Sequence, residues 1–351
     1  MDFTFSEEQE AAGALAAQIF QSRGTVERVK ALEASPDRFD RELWGQLASA
    51  NLLGLSLPDD VGGSGFGVVE LCLVLEQQGR VVMPVPLLAT VTTALAVAEF
   101  GTAEQRKAWL PGVVTGDVVL TAALEPGGVS IPAAHVADRI AVPLGDGRLG
   151  LVDPKGAGVS VEVAETTNRD VAGHLTVGAD ADVELLGGDE ASSGAEQWLR
   201  DRWLVGLSAL QVGVTSAALR LAADYTSSRT QFGKPLSTFQ GVAIKAADAY
   251  IAIEAMRVTM LQAAWRLDEG QDAGEEVLVA KWWAAEGGHR VVHITQHLHG
   301  GIGADIDYPV HRYFLWGKQL EVALGGAGET LSRLGAALAS RPLGAEEGSG
   351  S

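Results

Sequence analysis

The stretch SSRTQFGKPLSTFQ, residues 227–240, decides the fold, because it places a sharp turn between two long helical patterns. A cation, Arg229, and two side-chain amides, Gln231 and Gln240, stand beside the Phe-Gly-Lys-Pro turn that begins at Phe232. Arginine holds phosphate oxygens with a two-pronged fork, and the backbone N–H groups of a turn can join it. Taken alone, the stretch is equally typical of an ordinary helix–turn–helix connection with a surface arginine.

Helical patterns extend from this turn in both directions. One long helix is expected over residues 195–229 and a second over residues 240–270. Three more follow, at residues 274–288 with a possible continuation to His299, after Pro309, and at residues 329–339. Long helices joined by short loops predict an antiparallel bundle over residues 191–340. The polar tail at residues 341–351 is expected to be disordered.

The first part of the chain, residues 1–116, also has helical patterns. Ser6 and Gln9 form a capping-box pattern at the start of the first helix. Three further helices are expected: residues 41–55, broken at Pro58; residues 68–80, ending near Gly79; and a helix that begins after Thr102 and ends at Pro111 and Gly112.

The middle part, residues 117–190, has a different pattern. Its apolar runs are short, rich in β-branched residues and bounded by Gly, Pro or Asp, which is typical of strands. The five expected strands are residues 118–124, 139–144, 148–153, 159–165 and 182–186. The predicted class is therefore α+β, mostly α, with a small middle β-domain between a helical domain and a helix bundle.

Composition excludes several classes of function. The net charge of −19 argues against nucleic acid, whose binding requires a basic face. No apolar run looks long enough and free enough of charge to span a membrane, and the acidic, polar start is unlike a secretory signal. The single cysteine, Cys72, lies in an apolar run and is expected in the core. These features point to the cytoplasm.

Several histidines and tryptophans could suggest other sites. His289, His293 and His297 recur every four residues and so share one helix face, with His299 close by. A metal site would need further ligands at matching spacing, and none is evident, so packing in the core or at an interface is favoured and no metal is expected. The adjacent Trp282 and Trp283 are likewise expected in the core or at a subunit interface.

Four further motifs join the stretch at residues 227–240. They are PDDVGGSGFG at residues 58–67, GTAEQRKAWLPGVVTGD at 101–117, ALEPGG at 123–128 and HGGIGADIDYP at 299–309. Together they resemble the acyl-CoA dehydrogenase family over nearly the whole chain. That resemblance implies the same order of helical domain, β-domain and helix bundle.

The resemblance also implies a cofactor and a reaction. Members of this family desaturate an acyl-CoA thioester between the α and β carbons, with a carboxylate base that removes a proton and FAD that accepts a hydride. The residues that match the two FAD signatures are Arg229, Gln231, Phe232, Gln240, Gly300, Gly301 and Gly303. His297 stands where the family usually has glutamine, and the adjacent Gln296 is the alternative for that contact.

The positions that would hold the flavin ring depart from the family. Leu124 stands where a hydroxyl side chain is usual before Glu-Pro-Gly, and Thr121 stands at an aromatic position. A leucine side chain cannot form a hydrogen bond with a flavin carbonyl. The Trp-Ile-Thr strand of the family has no clear counterpart, and the β-domain looks shortened.

The position of the catalytic base departs as well. In most members the glutamate would align with Leu324, and in others with Trp203. Neither side chain can accept a proton, and loss of a general base lowers a rate by roughly 10²–10⁴-fold. The nearest carboxylates that could replace it are Glu321, Glu329 and Asp201.

The retained motifs are those that, in the family, reach across an interface to a neighbour's FAD. We therefore expect a non-catalytic subunit of a heteromeric α₂β₂ acyl-CoA dehydrogenase, resembling the unequal-subunit members of actinobacteria that act on steroid side-chain CoA thioesters. The partner would supply the base and most of the acyl site, with an electron-transfer flavoprotein as acceptor. Two alternatives stay open: a homotetrameric dehydrogenase with a relocated base, and a structural or regulatory protein without flavin.

Overall fold

The N-terminal part of the protein is helical, as expected. The computed structural model describes residues 4–340, so the predicted disordered tail lies outside the described residues. The helices are α1 (Glu7–Arg23), α2 (Val26–Glu33), α3 (Arg41–Ser49), α4 (Val68–Val81), α5 (Leu87–Phe100) and α6 (Ala103–Thr115). The capping box at Ser6 is confirmed, because Ser6 and Gln9 each accept a hydrogen bond from the other's backbone N–H.

Two predicted helix ends are wrong, and a left-handed residue explains each. Helix α3 ends at Ser49, well before Pro58, because Asn51 adopts a φ of 55°, a conformation that asparagine tolerates. Helix α6 continues through Pro111 to Thr115 and ends at Gly116, which has a φ of 80°. A proline removes only one hydrogen bond from the ladder, so the signal at Pro111 was not sufficient to end the helix.

Two helices were missed from sequence. Most of α5 is buried, including residues on every side of the helix, so it lacks the polar face that makes a helix recognisable. Helix α2 has only eight residues. Both helices pack into the same core as α4, and they complete the helical layer beside the middle region.

The middle region forms two small sheets. Its strands are β1 (Leu120–Ala122), β2 (Ile131–Pro132), β3 (Arg139–Pro143), β4 (Leu149–Val152), β5 (Val159–Glu165), β6 (Val171–Val177) and β7 (Val183–Leu185). One sheet has the order β1-β3-β4-β7 and the other β2-β6-β5. Strands β1 and β3 are parallel, and the other pairs are antiparallel.

Strand β6 was not expected, since Gly173 and His174 interrupt its apolar pattern, yet it pairs with β5 along its whole length. The change from helix to strand lies between Thr115 and Leu120, and the return to helix lies between Leu185 and Ala195. The division into domains at residues 116 and 190 stays a prediction.

The C-terminal part is the expected bundle of long helices. It consists of α7 (Ala195–Ser228), α8 (Gln240–Asp268), α9 (Gly274–His299), α10 (Val310–Val322) and α11 (Ala327–Ala339). The turn between α7 and α8 contains a short hairpin of β8 (Thr230–Gln231) and β9 (Lys234–Pro235). The order of helices, sheets and bundle confirms the α+β, mostly α class.

Helix α7 is the central helix of the molecule. Within residues 4–340 it is the one helix long and apolar enough, by length and composition alone, to cross a membrane. The expectation that the chain has no such run is therefore wrong. In the structure, 72% of its most apolar 18-residue window is buried, and α7 packs against α4, α8 and α9. This packing accounts for its apolar composition.

Helix α4 is joined to the bundle in two ways. It crosses α7 where glycines allow the backbones to approach: a Cβ atom at Gly213 would lie 2.1 Å from the Glu76 carbonyl oxygen. At its N-terminus, the backbone N–H groups of Val68 and Val69 donate to the Asp268 carboxylate, at 2.7 and 3.0 Å. Asp268 ends α8, so the N-terminal helices and the bundle are joined both by close backbone packing and by hydrogen bonds to this carboxylate.

Candidate functional site

The turn after α7 projects from one end of the bundle. Helix α7 ends where the Arg229 backbone N–H donates to the Tyr225 carbonyl, at 2.8 Å. At the tip of the β8–β9 hairpin, Phe232 and Gly233 both have a positive φ, of 54° and 78°. A bulky residue in this conformation is uncommon and strained. The Phe232 ring is 90% exposed, so it adds nothing to the core of this chain.

The polar residues of the turn are available to a ligand. Arg229, Gln231 and Gln240 are all exposed. The Gln231 amide donates only to the neighbouring Thr230 carbonyl, at 2.9 Å. In the part of the chain that the structure describes, no carboxylate pairs with the Arg229 guanidinium. Its fork of donors therefore remains free for an external anion.

The second signature follows α9 and is also open. Gly300 ends α9 with a φ of 62°, and a Cβ atom at Gly300 or Gly301 would meet no other atom within 4 Å. Gly303 is different, because a Cβ atom there would lie 3.0 Å from the Gln296 side-chain nitrogen. Gln296 thus packs beneath the loop, whereas His297 is exposed.

The two signatures lie together. The Tyr225 ring, one turn before Arg229, stacks on His299, with ring centroids 4.9 Å apart. Tyr308, beyond the glycine loop, completes the contact at 5.2 Å from His299. Burial lowers the pKa of His299, which favours its neutral, stacked form. The ends of α7 and α9 are therefore locked side by side, and both loops extend from the same end of the bundle.

The three positions that the sequence predicts to depart from the family lie together elsewhere. Leu124, Trp203 and Leu324 come from distant parts of the chain, and all line one cavity of about 250 Å³ between the middle sheets and α7. All three side chains are buried. Thr121 is buried nearby, and its hydroxyl donates to the Pro132 carbonyl, at 2.7 Å. That hydroxyl is therefore already used within the chain.

The three candidate replacement bases do not line this cavity. Glu321 contacts His289, at 3.1 Å, and Lys318, at 2.5 Å. Glu329 is exposed on α11. The Asp201 carboxylate accepts a hydrogen bond from Gln197, at 2.6 Å, and burial raises the pKa of Asp201 to about 6.

Two further residues were missed from sequence, one that lines the cavity and one that contacts the end of α10. The Glu125 carboxylate, in the ALEPGG motif, lines the cavity and accepts a hydrogen bond from the Leu324 backbone N–H. Behind it, the buried Lys281 ammonium donates to the carbonyls of Leu320 and Glu321, at 2.9 and 3.2 Å. Burial lowers the pKa of Lys281 to about 8. Together these contacts hold the last turn of α10 and the loop after it, and Leu324 in that loop offers no carboxylate to the cavity.

The cavity and the exposed signatures are far apart. Trp203 and Arg229 are separated by 26 residues at the two ends of α7. At a rise of 1.5 Å per residue, this places them about 39 Å apart, more than the length of an extended FAD molecule. The turn at Arg229 and the cavity at Trp203 therefore cannot hold the two ends of one FAD in the same chain.

The histidines, tryptophans and cysteine singled out from the sequence pack against their neighbours. The rings of His289 and His293 lie 4.4 Å apart, and no group of three potential metal ligands occurs within residues 4–340. Trp282 and Trp283 are half-buried and pack edge to face. Burial raises the pKa of the Cys72 thiol, as expected for an inert core cysteine.

Comparison with known proteins gives the family. Residues 6–117 match the model of the acyl-CoA dehydrogenase N-terminal domain, and residues 200–338 match the model of the C-terminal domain. The acyl-CoA dehydrogenase FadE27 of Mycobacterium tuberculosis is 38% identical, over 97% of this chain and 100% of that protein. FAD-binding flavoproteins share the fold.

Two solved structures are especially similar. One is described as the Tcur3481-Tcur3483 steroid ACAD G363A variant, with 47% identity and a TM-score of 0.90, over 95% of this chain and 98% of that chain. The other is the ChsE4-ChsE5 complex from M. tuberculosis, with 37% identity and a TM-score of 0.92, over 97% and 100%. Matches of this extent at both ends of the chain establish that the protein belongs to the acyl-CoA dehydrogenase family.

Proposed function

We propose that this chain is the non-catalytic subunit of a heteromeric, FAD-dependent acyl-CoA dehydrogenase. Its exposed signatures bind the adenosine diphosphate end of an FAD whose flavin ring lies in a homologous partner. The partner supplies the carboxylate base and most of the acyl site. An α₂β₂ assembly, an electron-transfer flavoprotein as acceptor and a cytoplasmic location belong to the same proposal.

The distance between the two halves of the expected site supports an FAD shared between subunits, and the lack of a carboxylate at Trp203 and Leu324 in the cavity supports a partner that differs from this chain. The Arg229 turn lies about 39 Å from the cavity at Trp203, by the rise of helix α7. A flavin held at Arg229 must therefore place its ring outside this chain's cavity, against another subunit. The exposed Phe232 and the unpaired Arg229 suit a surface that is completed by a partner.

The residues of this chain fit one end of FAD and not the other. Arg229 offers a bidentate fork to the diphosphate, and the open backbone at Gly300 and Gly301 allows close approach. In the family a glutamine usually makes one of the FAD contacts. We assign that contact here to His297, which is exposed, because Gln296 packs beneath the loop that contains Gly303. At the cavity, Leu124 offers no hydrogen bond to a flavin ring. Bound FAD supplies hydride acceptance, and this chain's part is to hold it in place.

An exposed apolar stripe on helix α8 supports the proposal that a homologous partner packs against this chain. Ile244, Ile251, Val258 and Trp265 lie at intervals of seven residues and are all exposed. Side chains at this spacing form one apolar stripe along a helix, as in helix–helix interfaces. A stripe of this kind on a bundle helix suits packing against the bundle of another subunit.

The substrate class rests on relatives. The Tcur3481-Tcur3483 structure is described as a steroid ACAD, and ChsE4-ChsE5 as a complex. We propose that the assembly formed by this chain desaturates the CoA thioester of a steroid side chain. The acyl group would be bound mainly by the partner.

The proposal is tested by counting FAD. We expect the chain purified alone to be colourless, and the complex with its partner to be yellow and active, with about one FAD per heterodimer. A yellow and active lone chain would contradict the heteromer. If the partner alone is active and binds FAD without this chain, the proposed role of this chain in FAD binding is wrong.

A homomeric enzyme with a relocated base remains the alternative to test. It requires Glu321, Glu329 or Asp201 to reach the substrate, although none of them lines the cavity. Glu329→Ala should leave turnover of the complex nearly unchanged if the base belongs to the partner. Loss of turnover in this variant would favour the relocated base. If neither the lone chain nor the complex contains flavin, a structural protein with this fold would be favoured.

A further inference from the structure

Three aromatic rings form a cluster between the two loops that the proposed function assigns to FAD. The His299 ring stacks on Tyr225 of α7, with centroids 4.9 Å apart and ring planes at 24°. Tyr308 contacts both rings, with its centroid 5.2 Å from that of His299 and 6.3 Å from that of Tyr225. His299 is 2% exposed, so its ring contacts its neighbours and not a ligand at the surface.

Each ring of this cluster belongs to a different part of the site. The Tyr225 carbonyl accepts from the Arg229 backbone N–H, at 2.8 Å, where the turn with the guanidinium begins. His299 directly precedes Gly300, whose φ of 62° ends α9 and begins the glycine loop. Tyr308 lies at the far end of that loop, before α10. The cluster therefore sets the spacing between Arg229 and the glycine loop.

The surroundings of His299 suit a neutral ring. Its Nδ1 atom donates to the Thr295 carbonyl, one turn earlier on α9, at 2.7 Å. A proton added at Nε2 would give the ring a buried charge, which is costly without a paired carboxylate. Burial lowers the pKa of His299 from its ordinary value of 6.5, although the carbonyls of Thr295 and Leu221 favour the protonated ring.

No opposite charge compensates that proton. The groups that face the ring from α7, α9 and the loop are Tyr225, Tyr308 and the carbonyls of Leu221 and Thr295. Asp224, beside Tyr225 in the chain, is paired with Arg220 at 3.0 Å. Within residues 4–340, no charged side chain shifts the pKa of His299. Protonation should therefore loosen the stack.

We propose that His299 is a positioning residue for FAD, whose stacked ring holds the Arg229 turn and the glycine loop at the separation at which both contact one FAD. This inference rests on the proposed function and adds a dependence on pH. The stability that the neutral ring contributes is present above pH 6.5 and is lost as the pH falls below it. The affinity for FAD should therefore fall on acidification.

Removal and replacement of the ring test the positioning role. In the complex with the partner at pH 7.5, His299→Ala should raise the FAD dissociation constant about tenfold, because contacts with two rings are lost and the held arrangement is less populated. His299→Phe keeps a stacked ring and should stay within about threefold of the wild type. Tyr308→Ala removes a different ring and should weaken FAD about threefold, which tests the cluster even if a His299 variant does not fold. Wild-type affinity in both alanine variants would overturn the proposal.

The pH profile assigns the effect to His299. Between pH 7.5 and 5.5, the FAD dissociation constant of the wild-type complex should rise about three- to tenfold more than that of His299→Phe. Both proteins retain His297, so its titration cancels in this comparison. His311→Phe is the control and should keep the wild-type profile, since His311 is also buried and burial also lowers its pKa, but its ring lies outside the cluster. If His299→Phe keeps the wild-type profile, the assignment is wrong.

Hydrogen exchange in the lone chain separates this inference from the proposed function, because it needs no FAD. His299→Ala should speed exchange of the Arg229 amide about tenfold, whereas His299→Phe should not. If the wild-type complex contains no FAD, the proposed function is wrong and the positioning role falls with it. If the complex contains FAD but His299→Ala changes neither this exchange rate nor the FAD affinity, only the positioning role is wrong.

Discussion

Arg229 and Trp203 illustrate how much a single residue decides in this protein. Both belong to α7 or its end, and the sequence predicts that both stand at positions that the family uses. Arg229 presents an unpaired guanidinium to the outside, whereas Trp203 is a buried residue that lines the cavity. The same helix therefore presents a free cation at one end and carries no carboxylate at position 203 near the other.

The first prediction concerns Arg229. In the complex with the partner, Arg229→Ala should weaken FAD binding about 10- to 100-fold, because charged hydrogen bonds contribute roughly 1.5–3 kcal/mol. Flavin fluorescence on dilution measures the release. Arg220→Ala is the control, since Arg220 is also exposed near the end of α7 but is paired with Asp224. Equal flavin loss in both variants would remove Arg229 from the site.

The second prediction concerns Asp201 and pH. Burial raises the pKa of this carboxyl to about 6, so the folded state binds its proton more tightly than the unfolded state. The stability gained from that proton is present below pH 4 and is lost as the pH rises through 6. Asp201→Asn should therefore be more stable than the wild type above pH 6, by about 1–3 kcal/mol, and similar to it below pH 4.

Urea unfolding of both proteins at pH 4, 5, 6 and 7 measures this difference. The Gln197 hydrogen bond to Asp201 can be kept by the asparagine oxygen, so loss of packing should be small. A constant difference across this range would mean that Asp201 is not the titrating group.

At the scale of elements, the crossing of α4 and α7 holds the N-terminal helices against the bundle. Gly213 and Gly79 allow the two backbones to touch, and a Cβ atom at either would lie within 2.3 Å of a carbonyl oxygen on the opposite helix. Backbone cannot move aside as a flexible side chain can. The close crossing therefore depends on these two glycines.

The third prediction follows from that crossing. Gly213→Ala should destabilise the chain by more than about 2 kcal/mol, even though alanine is the better helix former by about 1 kcal/mol. Gly335→Ala on α11 is the control, because no atom lies within 4 Å of its added Cβ, and it should be neutral or stabilising. Thermal unfolding compares the two. A Gly213→Ala variant as stable as Gly335→Ala would contradict the close crossing.

At the scale of the whole molecule, one surface stands out for its apolar side chains. The stripe on α8 runs from Ile244 to Trp265, on the helix that directly follows the Arg229 turn. If the partner covers this stripe, assembly and FAD binding are coupled, because the same helix positions both surfaces. A chain that cannot assemble should then also fail to retain flavin.

The fourth prediction tests this coupling. Ile251→Lys places a charge in the middle of the stripe and should prevent formation of the complex while the chain stays folded. Val163→Lys is the matched control, since Val163 is similarly exposed but lies on β5. Light scattering after size-exclusion chromatography measures assembly, and circular dichroism measures folding. Normal assembly of Ile251→Lys would exclude the stripe as the interface.

The sequence predicted the long helices well and the short elements poorly, for physical reasons. Long helices such as α7 and α8 contain many apolar residues at helical spacing, so the sequence pattern identifies them clearly. Helix α5 is buried on every side, and β6 is interrupted by Gly173 and His174, so neither has a clear period. The end of α6 depended on Gly116 rather than on the more conspicuous Pro111.

Residue identity alone determined the two motifs that predict FAD contacts and the absence of a carboxylate at positions 203 and 324, since both depend only on which amino acid stands where. Only the tertiary structure decided that Leu124, Trp203 and Leu324 share one cavity, and that Gln296 is turned inward while His297 is exposed. It also brought Tyr225, His299 and Tyr308 into one cluster. These facts depend on packing between distant segments, which a local sequence pattern does not encode.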